Sequence, residues 1–170
     1  KRQITNSTKA IMVVHLTGKL CELNPLSQFC SDNDIFLIED SAQAIGAHDA
    51  NNKKAGSFGI AGGFSLHPLK NLAVYGDGGV VTTNSYELYE KIKILRNHGL
   101  INRDECLFWG LNTRLDELQA AYALVKMKYI ETWNEKYISI AEIDSQKISY
   151  KVSNPKTVKR FRDVFHNYLI

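Results

Sequence analysis

Two short apolar runs, AIMVVHL at residues 10–16 and IFLIE at residues 35–39, stand on either side of a helix-starting signal, and this order constrains the fold more than any other feature. The first run is rich in β-branched residues and closes on Thr17-Gly18, so it reads as a strand buried on both faces. Asn24-Pro25 reads as an N-cap followed by proline at the first helical position, opening a short helix up to about Asn33. The second run follows at once. Strand, helix and strand in so short a span make a βαβ unit, which implies a parallel sheet with a right-handed crossover, and hence the α/β class.

Beyond Asp40 the chain passes through a small-residue loop (SAQAIGA), a polar turn (DANNKKAG) and a short segment at residues 63–65. Residues 79–83 (GVVTT) form another strand candidate. Asn84 or Ser85 can cap a helix over YELYEKIKILRNH, where Leu88, Ile92 and Leu95 recur at helical spacing and Gly99 supplies the stop. A second helical stripe, Leu115, Leu118, Ala121, Tyr122, Val125 and Tyr129, predicts one long segment running past Trp133. After Asn154-Pro155 the periodicity weakens, and residues 164–170 (VFHNYLI) read as a strand.

Composition narrows the functional classes. With 170 residues, 44% hydrophobic and 23% charged, the chain can bury one sizeable core, and a net charge of +3 is not that of a nucleic-acid-binding protein. Six basic residues (Lys147, Lys151, Lys156, Lys159, Arg160, Arg162) share one late stretch without an acidic residue, which reads as a solvated face rather than an anion site. Cys21, Cys30 and Cys106 form no CxxC pair and no zinc-like spacing, so neither a disulfide framework nor a metal site is expected, and a reducing cytoplasm is the simplest compartment. No apolar run approaches membrane-spanning length, and the opening KRQITNSTKA has no hydrophobic signal core. The first apolar run begins so early that the chain reads as a piece of something larger.

Chemistry concentrates at two places. Asp40 stands immediately after a buried parallel strand, where open α/β sheets bind ligands; the same carboxylate could equally cap the backbone N–H groups of the next loop. Gln43 is either a loop-stabilising amide or a ligand contact. Lys70 lies in FSLHPLKNLAVYGDGG, among Leu66, Pro68, Leu69, Leu72 and Val74, a setting that favours an enclosed, neutral and nucleophilic amine over a surface charge. Ser65 can offer a hydroxyl to an anion, and Gly62 and Gly63 allow close backbone approach. Together they suggest an amine beside a phosphate. His67 reads as packing or support for the loop, and His98 as a histidine at a helix C-terminus. Residues 76–79 (GDGG) read as a tight turn, too short for a nucleotide fingerprint.

The ordered set IEDSAQA, AGSFG, FSLHPLKN, GDGG, RNHG and GLNTRLDELQAA, with VFHNY near the end, resembles the DegT/DnrJ/StrS family of nucleotide-sugar aminotransferases, over about residues 8–133 and again at residues 164–168. The resemblance implies fold type I of the enzymes that use pyridoxal 5'-phosphate, an aspartate aminotransferase-like fold. Residues 1–133 would belong to its large domain, with a mostly parallel sheet, and residues 134–170 to a connecting helix and the beginning of the small C-terminal domain.

It also implies roles for single residues. Lys70 would form the Schiff base with the cofactor aldehyde, Asp40 would face the pyridine nitrogen, Gln43 would sit at the ring and its 3-hydroxyl, and Ser65 would hold the phosphate. Asn112 would reach the cofactor phosphate of a neighbouring subunit, making a homodimer part of the site, and His166 would lie near the substrate. The implied reaction moves an amino group, with glutamate as donor, onto a nucleotide-linked keto-sugar in amino-sugar biosynthesis for a surface polysaccharide such as lipopolysaccharide O-antigen, or for a natural product. Leu66 and Leu111 depart from the aromatic and tyrosine usual at their positions. Related dehydratases that use pyridoxamine phosphate carry histidine in place of the lysine, so Lys70 argues against that branch; a noncatalytic binding or regulatory module with the same fold is the other rival.

Overall fold

The computed structural model describes residues 3–148 and 160–170. Lys151, Lys156, Lys159 and the Asn154-Pro155 pair lie outside the described residues. The central sheet has four strands in the order β1 (Ala10–Val14), β2 (Phe36–Asp40), β4 (Ala61–Ser65) and β5 (Gly79–Thr82). β1, β2 and β4 are parallel, and β5 returns antiparallel to β4. β3 (His48–Asp49) pairs with β6 (Phe161–Arg162) in a separate two-stranded ribbon.

α1 (Asn24–Asp32) makes the crossover between β1 and β2, with Leu23 rather than Asn24 at its N-cap and the proline in its first turn. Both strands of the βαβ unit are displaced slightly from the apolar runs that signalled them. The first ends at Val14, because Leu16–Gly18 close into a single 3-10 turn, with Thr17 in the left-handed region at φ 64°. β1 is not buried on both faces. It is an edge of the described sheet, and Met12 and Val14 are exposed while Ile11 and Val13 face the inside.

α2 (Tyr86–Leu95) begins where Ser85 Oγ accepts the Leu88 N–H, which settles the cap in favour of Ser85. The long helix expected beyond Leu115 is two helices, α3 (Glu117–Met127) and α4 (Ile130–Lys147). The break comes at Lys128 and Tyr129, whose N–H groups turn back to Val125 and Lys126 O, while the Tyr129 ring stacks on Trp133. Residues 164–170 are not a strand. Only Phe161–Arg162 find a pairing edge, and the rest runs as an irregular strap whose Val164 N–H donates to Gly18 O.

Three apolar clusters support this layout. Leu20, Leu23, Ala44, Ala47, Ala55, Phe58 and Val164 pack the strap against the 41–58 loops. Leu66, Leu72, Val74, Ala123 and Ile130 pin the 66–78 loop against α3 and α4. Cys30, Ile35 and Leu37 join α1 to β2. Each fully buried leucine contributes about 1.5–3 kcal/mol, so loop 66–78, with Leu66 and Leu72 both buried, is held as firmly as an element of regular structure. Of the late basic residues, Arg160 pairs with Glu22, and Arg162 is largely buried between Glu131, Glu135 and the Gly46 carbonyl, so that part of the stretch is structural rather than a solvated face.

Candidate active site

Successive side chains of a strand point to opposite sides of its sheet, so Glu39 and Asp40 face opposite ways. Glu39 is buried and fully engaged. It accepts the N–H groups of Gly56, Phe58 and Gly59 at 2.8, 2.6 and 2.7 Å, and its Oε2 lies 3.0 Å from Nε2 of buried His15. Burial by itself would raise the Glu39 carboxyl, but the bonds from His15 and the Gly59, Gly56 and Phe58 amides outweigh it and hold the group below its ordinary range. The Cys21 N–H donates to His15 Nδ1 at 3.2 Å, which leaves Nε2 to carry the proton toward Glu39.

Asp40 faces the other side, half-buried, at the carboxyl end of β2. One of its oxygens does cap the following loop, accepting the Ala42 N–H at 3.1 Å. Gly63 is its direct neighbour across the sheet, and Ser65, two residues on, shares that face. A β-carbon on Gly63 would meet nothing within 4 Å, so open space stands beside the Asp40 carboxylate. Gly62 is small for a different reason from the one its sequence context suggests: its missing side chain makes room for the Gly56 backbone, on the Glu39 side.

Ser65 Oγ accepts the His67 N–H at 3.2 Å and starts the loop that carries Lys70. The loop is closed by Leu66 N–H to Gly78 O and Val74 N–H to Leu66 O, and Lys70 N–H donates to His67 O within it. Lys70 is half-buried. His67 is exposed, and its Nδ1 takes the Leu69 N–H at 3.2 Å, so it braces the loop locally rather than packing in the core. Gln43 Oε1 accepts the Thr17 N–H at 2.6 Å and pins the left-handed turn after β1, which leaves its amide N–H groups as donors.

His166 arrives from the strap. Its Nδ1 lies 3.2 Å from Oδ1 of Asn71, the residue next to Lys70. Burial lowers its pKa below the ordinary histidine value, and the positive charge of Lys70 lowers it further. The fold therefore gathers Asp40 and Ser65 on one sheet face, and brings His166 within electrostatic reach of Lys70. Asn112 is not part of this group: it is exposed, its backbone bridges Asn97 and its Oδ1 accepts from Arg114 Nε. His98 lies beyond the end of α2 with φ 60°, its N–H on Leu111 O, so it is a loop residue and not a helix-terminal one.

Sequence reasoning did not single out His15, Glu39, Asn71 or Asn134. Glu39 was one letter of an apolar run, and the only signal for it was the glycine-rich AGSFG that supplies its N–H donors. Asn71 and Asn134 lie 63 positions apart, and no local pattern announces their contact.

The model of the DegT/DnrJ/EryC1/StrS aminotransferase family matches residues 1–170. The chain is 47% identical over 141 residues to the dTDP-3-amino-3,6-dideoxy-alpha-D-galactopyranose transaminase of Aneurinibacillus thermoaerophilus, covering 83% of this chain and 39% of that protein. It is 37% identical over 171 residues to the pleiotropic regulatory protein of Geobacillus stearothermophilus, covering 98% of this chain and 46% of that one. Among solved structures, an aminotransferase from Brucella abortus superposes with a TM-score of 0.89 at 32% identity, over 94% of this chain and 43% of the other. The chain thus spans less than half the length of these relatives, and its mostly parallel α/β fold is part of theirs. It belongs to the DegT/DnrJ/EryC1/StrS aminotransferase family.

Proposed function

We propose that the protein transfers an amino group from glutamate to a nucleotide-linked keto-sugar, using pyridoxal 5'-phosphate, in cytoplasmic biosynthesis of amino sugars for a surface polysaccharide or a natural product. The carrying observation is that the carboxyl ends of parallel β2 and of β4 place Asp40 and Ser65 on one face beside open space, with Lys70 on the loop that Ser65 begins. The donor set fits the cofactor: an amine for its aldehyde, a carboxylate for its ring nitrogen, a hydroxyl for its phosphate. Relatives named as transaminases of dTDP- and UDP-linked amino sugars, with one named GDP-perosamine synthase, support the substrate class.

When bound, the cofactor supplies an electrophilic aldehyde and a ring that accepts electrons. Asp40 holds a proton on the ring nitrogen, since a carboxylate in a half-buried site favours a cation opposite it. Ser65 would bind the phosphate, its Oγ accepting the His67 N–H while the hydroxyl hydrogen is left to donate. Gln43, with its oxygen engaged by Thr17, offers N–H donors to the ring oxygen. Lys70 would hold the aldehyde carbon covalently, and its amine, when free, would take up and return a proton at the reacting carbon. His166 binds substrate beside it.

A second copy of the chain completes this reading, with Asn112 reaching the neighbour's phosphate. The exposed apolar residues around Asn112, with Trp109 98% exposed and Leu107 and Leu111 also open, support a covered face there. The division at residues 133 and 134 belongs to the same reading; it falls within α4, whose first turns pack on the Lys70 loop through Ile130 and Trp133.

The name of the Geobacillus relative favours a second reading, a regulatory module that keeps the fold. One experiment separates the two. Borohydride reduction of the whole protein incubated with pyridoxal 5'-phosphate, followed by peptide mapping, is expected to leave the label on Lys70; a label elsewhere, or none, would reject the enzymatic reading.

A further inference from the structure

Asn134 is fully buried on α4, and its Nδ2 donates to the Ile45 carbonyl at 2.9 Å. A carbonyl only accepts, so this bond fixes which end of the Asn134 amide is nitrogen and turns its Oδ1 toward Asn71. Asn71 Nδ2 donates to that oxygen at 3.0 Å and to the Val164 carbonyl at 3.1 Å. Both of its hydrogens are thereby committed to acceptors. Its Oδ1, 3.2 Å from His166 Nδ1, can then only accept, so the imidazole must carry its proton on Nδ1. The relay runs from a backbone carbonyl through two buried amides to one ring nitrogen, and every member points the same way.

Among the described residues, His166 Nε2 has no hydrogen-bond partner. We propose that Asn71 and Asn134 are positioning residues that hold His166 as the Nδ1–H tautomer, so that its Nε2 is a hydrogen-bond acceptor for a hydroxyl of the sugar and not a donor to a phosphate. This rests on the proposed sugar-binding function for the identity of the ligand, but the tautomer does not. A lone pair at Nε2 repels phosphate oxygens and attracts an O–H. Burial and the Lys70 charge both resist a second proton on the ring, which keeps that lone pair free.

The test is nitrogen-15 spectroscopy of the histidines in the whole protein, with His166 assigned by the signals lost in His166→Gln. At near-neutral pH the expected result is Nδ1 protonated and Nε2 unprotonated; the opposite tautomer would overturn the relay. The wild-type spectrum alone decides this, even where a variant fails to fold. Asn134→Leu, which touches neither His166 nor Lys70, is expected to mix the tautomers, and an unchanged spectrum there would remove Asn134 from the relay. Adding dTDP-glucose as probe is expected to move the Nε2 signal and leave Nδ1 protonated, while inorganic phosphate moves neither. Protonation of Nε2 by phosphate, or an Nε2 indifferent to the nucleotide sugar, would reject the hydroxyl assignment. A protein with the expected tautomer but no transaminase activity would reject the functional reading and leave the relay standing.

Discussion

His15 Nε2 lies 3.0 Å from Glu39 Oε2 with both side chains entirely out of solvent, at the point where the first two parallel strands end. Glu39 ties His15, and through it the turn after β1, to the Gly56–Gly59 loop. Because its folded-state carboxyl is held below the ordinary value of 4.5, its contribution is fully present above that value and is lost as pH falls through the lower, folded one. We expect unfolding free energy measured by denaturant titration to drop in that acid window, and the drop to be smaller in Glu39→Gln. Glu39→Ala, which strands His15 and three amides, is expected to cost about 3–5 kcal/mol, a large share of the ~5–15 kcal/mol of a typical domain.

Gly99 has φ 76°, and a β-carbon there would overlap the Phe108 carbonyl. Its own N–H reaches Ile94 O and its carbonyl takes the Leu107 N–H, so this left-handed residue joins the end of α2 to the 100–111 segment. Gly99→Ala is expected to cost more than the ~1–2 kcal/mol of left-handed strain alone. Thermal unfolding checks the size, and faster amide exchange at Leu107 and His98 would locate the damage.

Lys70 makes no side-chain hydrogen bond or ion pair among the described residues that stability depends on, and it stands on a loop already fixed by Leu66, Leu72 and Val74. Lys70→Ala is therefore expected to stay within ~0.5 kcal/mol of the parent in stability while losing transamination by several orders of magnitude. Stability and turnover measured on the same preparation check both halves. Transamination retained in this variant would remove Lys70 from the chemistry.

Trp109 should decide the assembly. If a second copy covers the face around Asn112, this ring is a central anchor, and anchors of that type are worth ~2 kcal/mol or more. Trp109→Asp is then expected to weaken dimerisation at least ~30-fold by sedimentation equilibrium. Unchanged association would move the subunit interface elsewhere.

Much of the candidate site was legible because its groups sit where short-range rules apply. Asp40 and Ser65 each end a strand, and Lys70 stands in an apolar loop bounded by glycines, so strand-end position and composition were enough to propose them. What escaped was set by contacts between distant segments. Asn71 looked like any polar loop residue until α4 and the strap brought Asn134, Val164 and His166 around it. The same limit explains the fold errors. VFHNYLI has a strand's aromatic and β-branched residues, but a strand needs a free edge to pair with, and only the two residues before Asp163 find one. The run AIMVVHL reads as doubly buried from its letters, but burial of Met12 and Val14 depends on what packs over their face of the sheet, and Phe36 of the interior strand β2, on that same face, is exposed as well.

The opposed directions of Glu39 and Asp40 make β2 intolerant of changes in length. Two adjacent carboxylates of nearly equal chemistry serve as an anchor for folding on one side and as an open acid on the other, and only the pleat keeps them apart. Deleting one residue upstream in the strand would carry Asp40 into the anchor's place, one methylene too short for four hydrogen bonds, and Ser41 into the open one, while an insertion would carry Ile38 into the anchor's place and Glu39 into the open one. For this strand a frame-preserving single-codon deletion should therefore be as damaging as the loss of either acid, even though every chemical group needed would still be encoded.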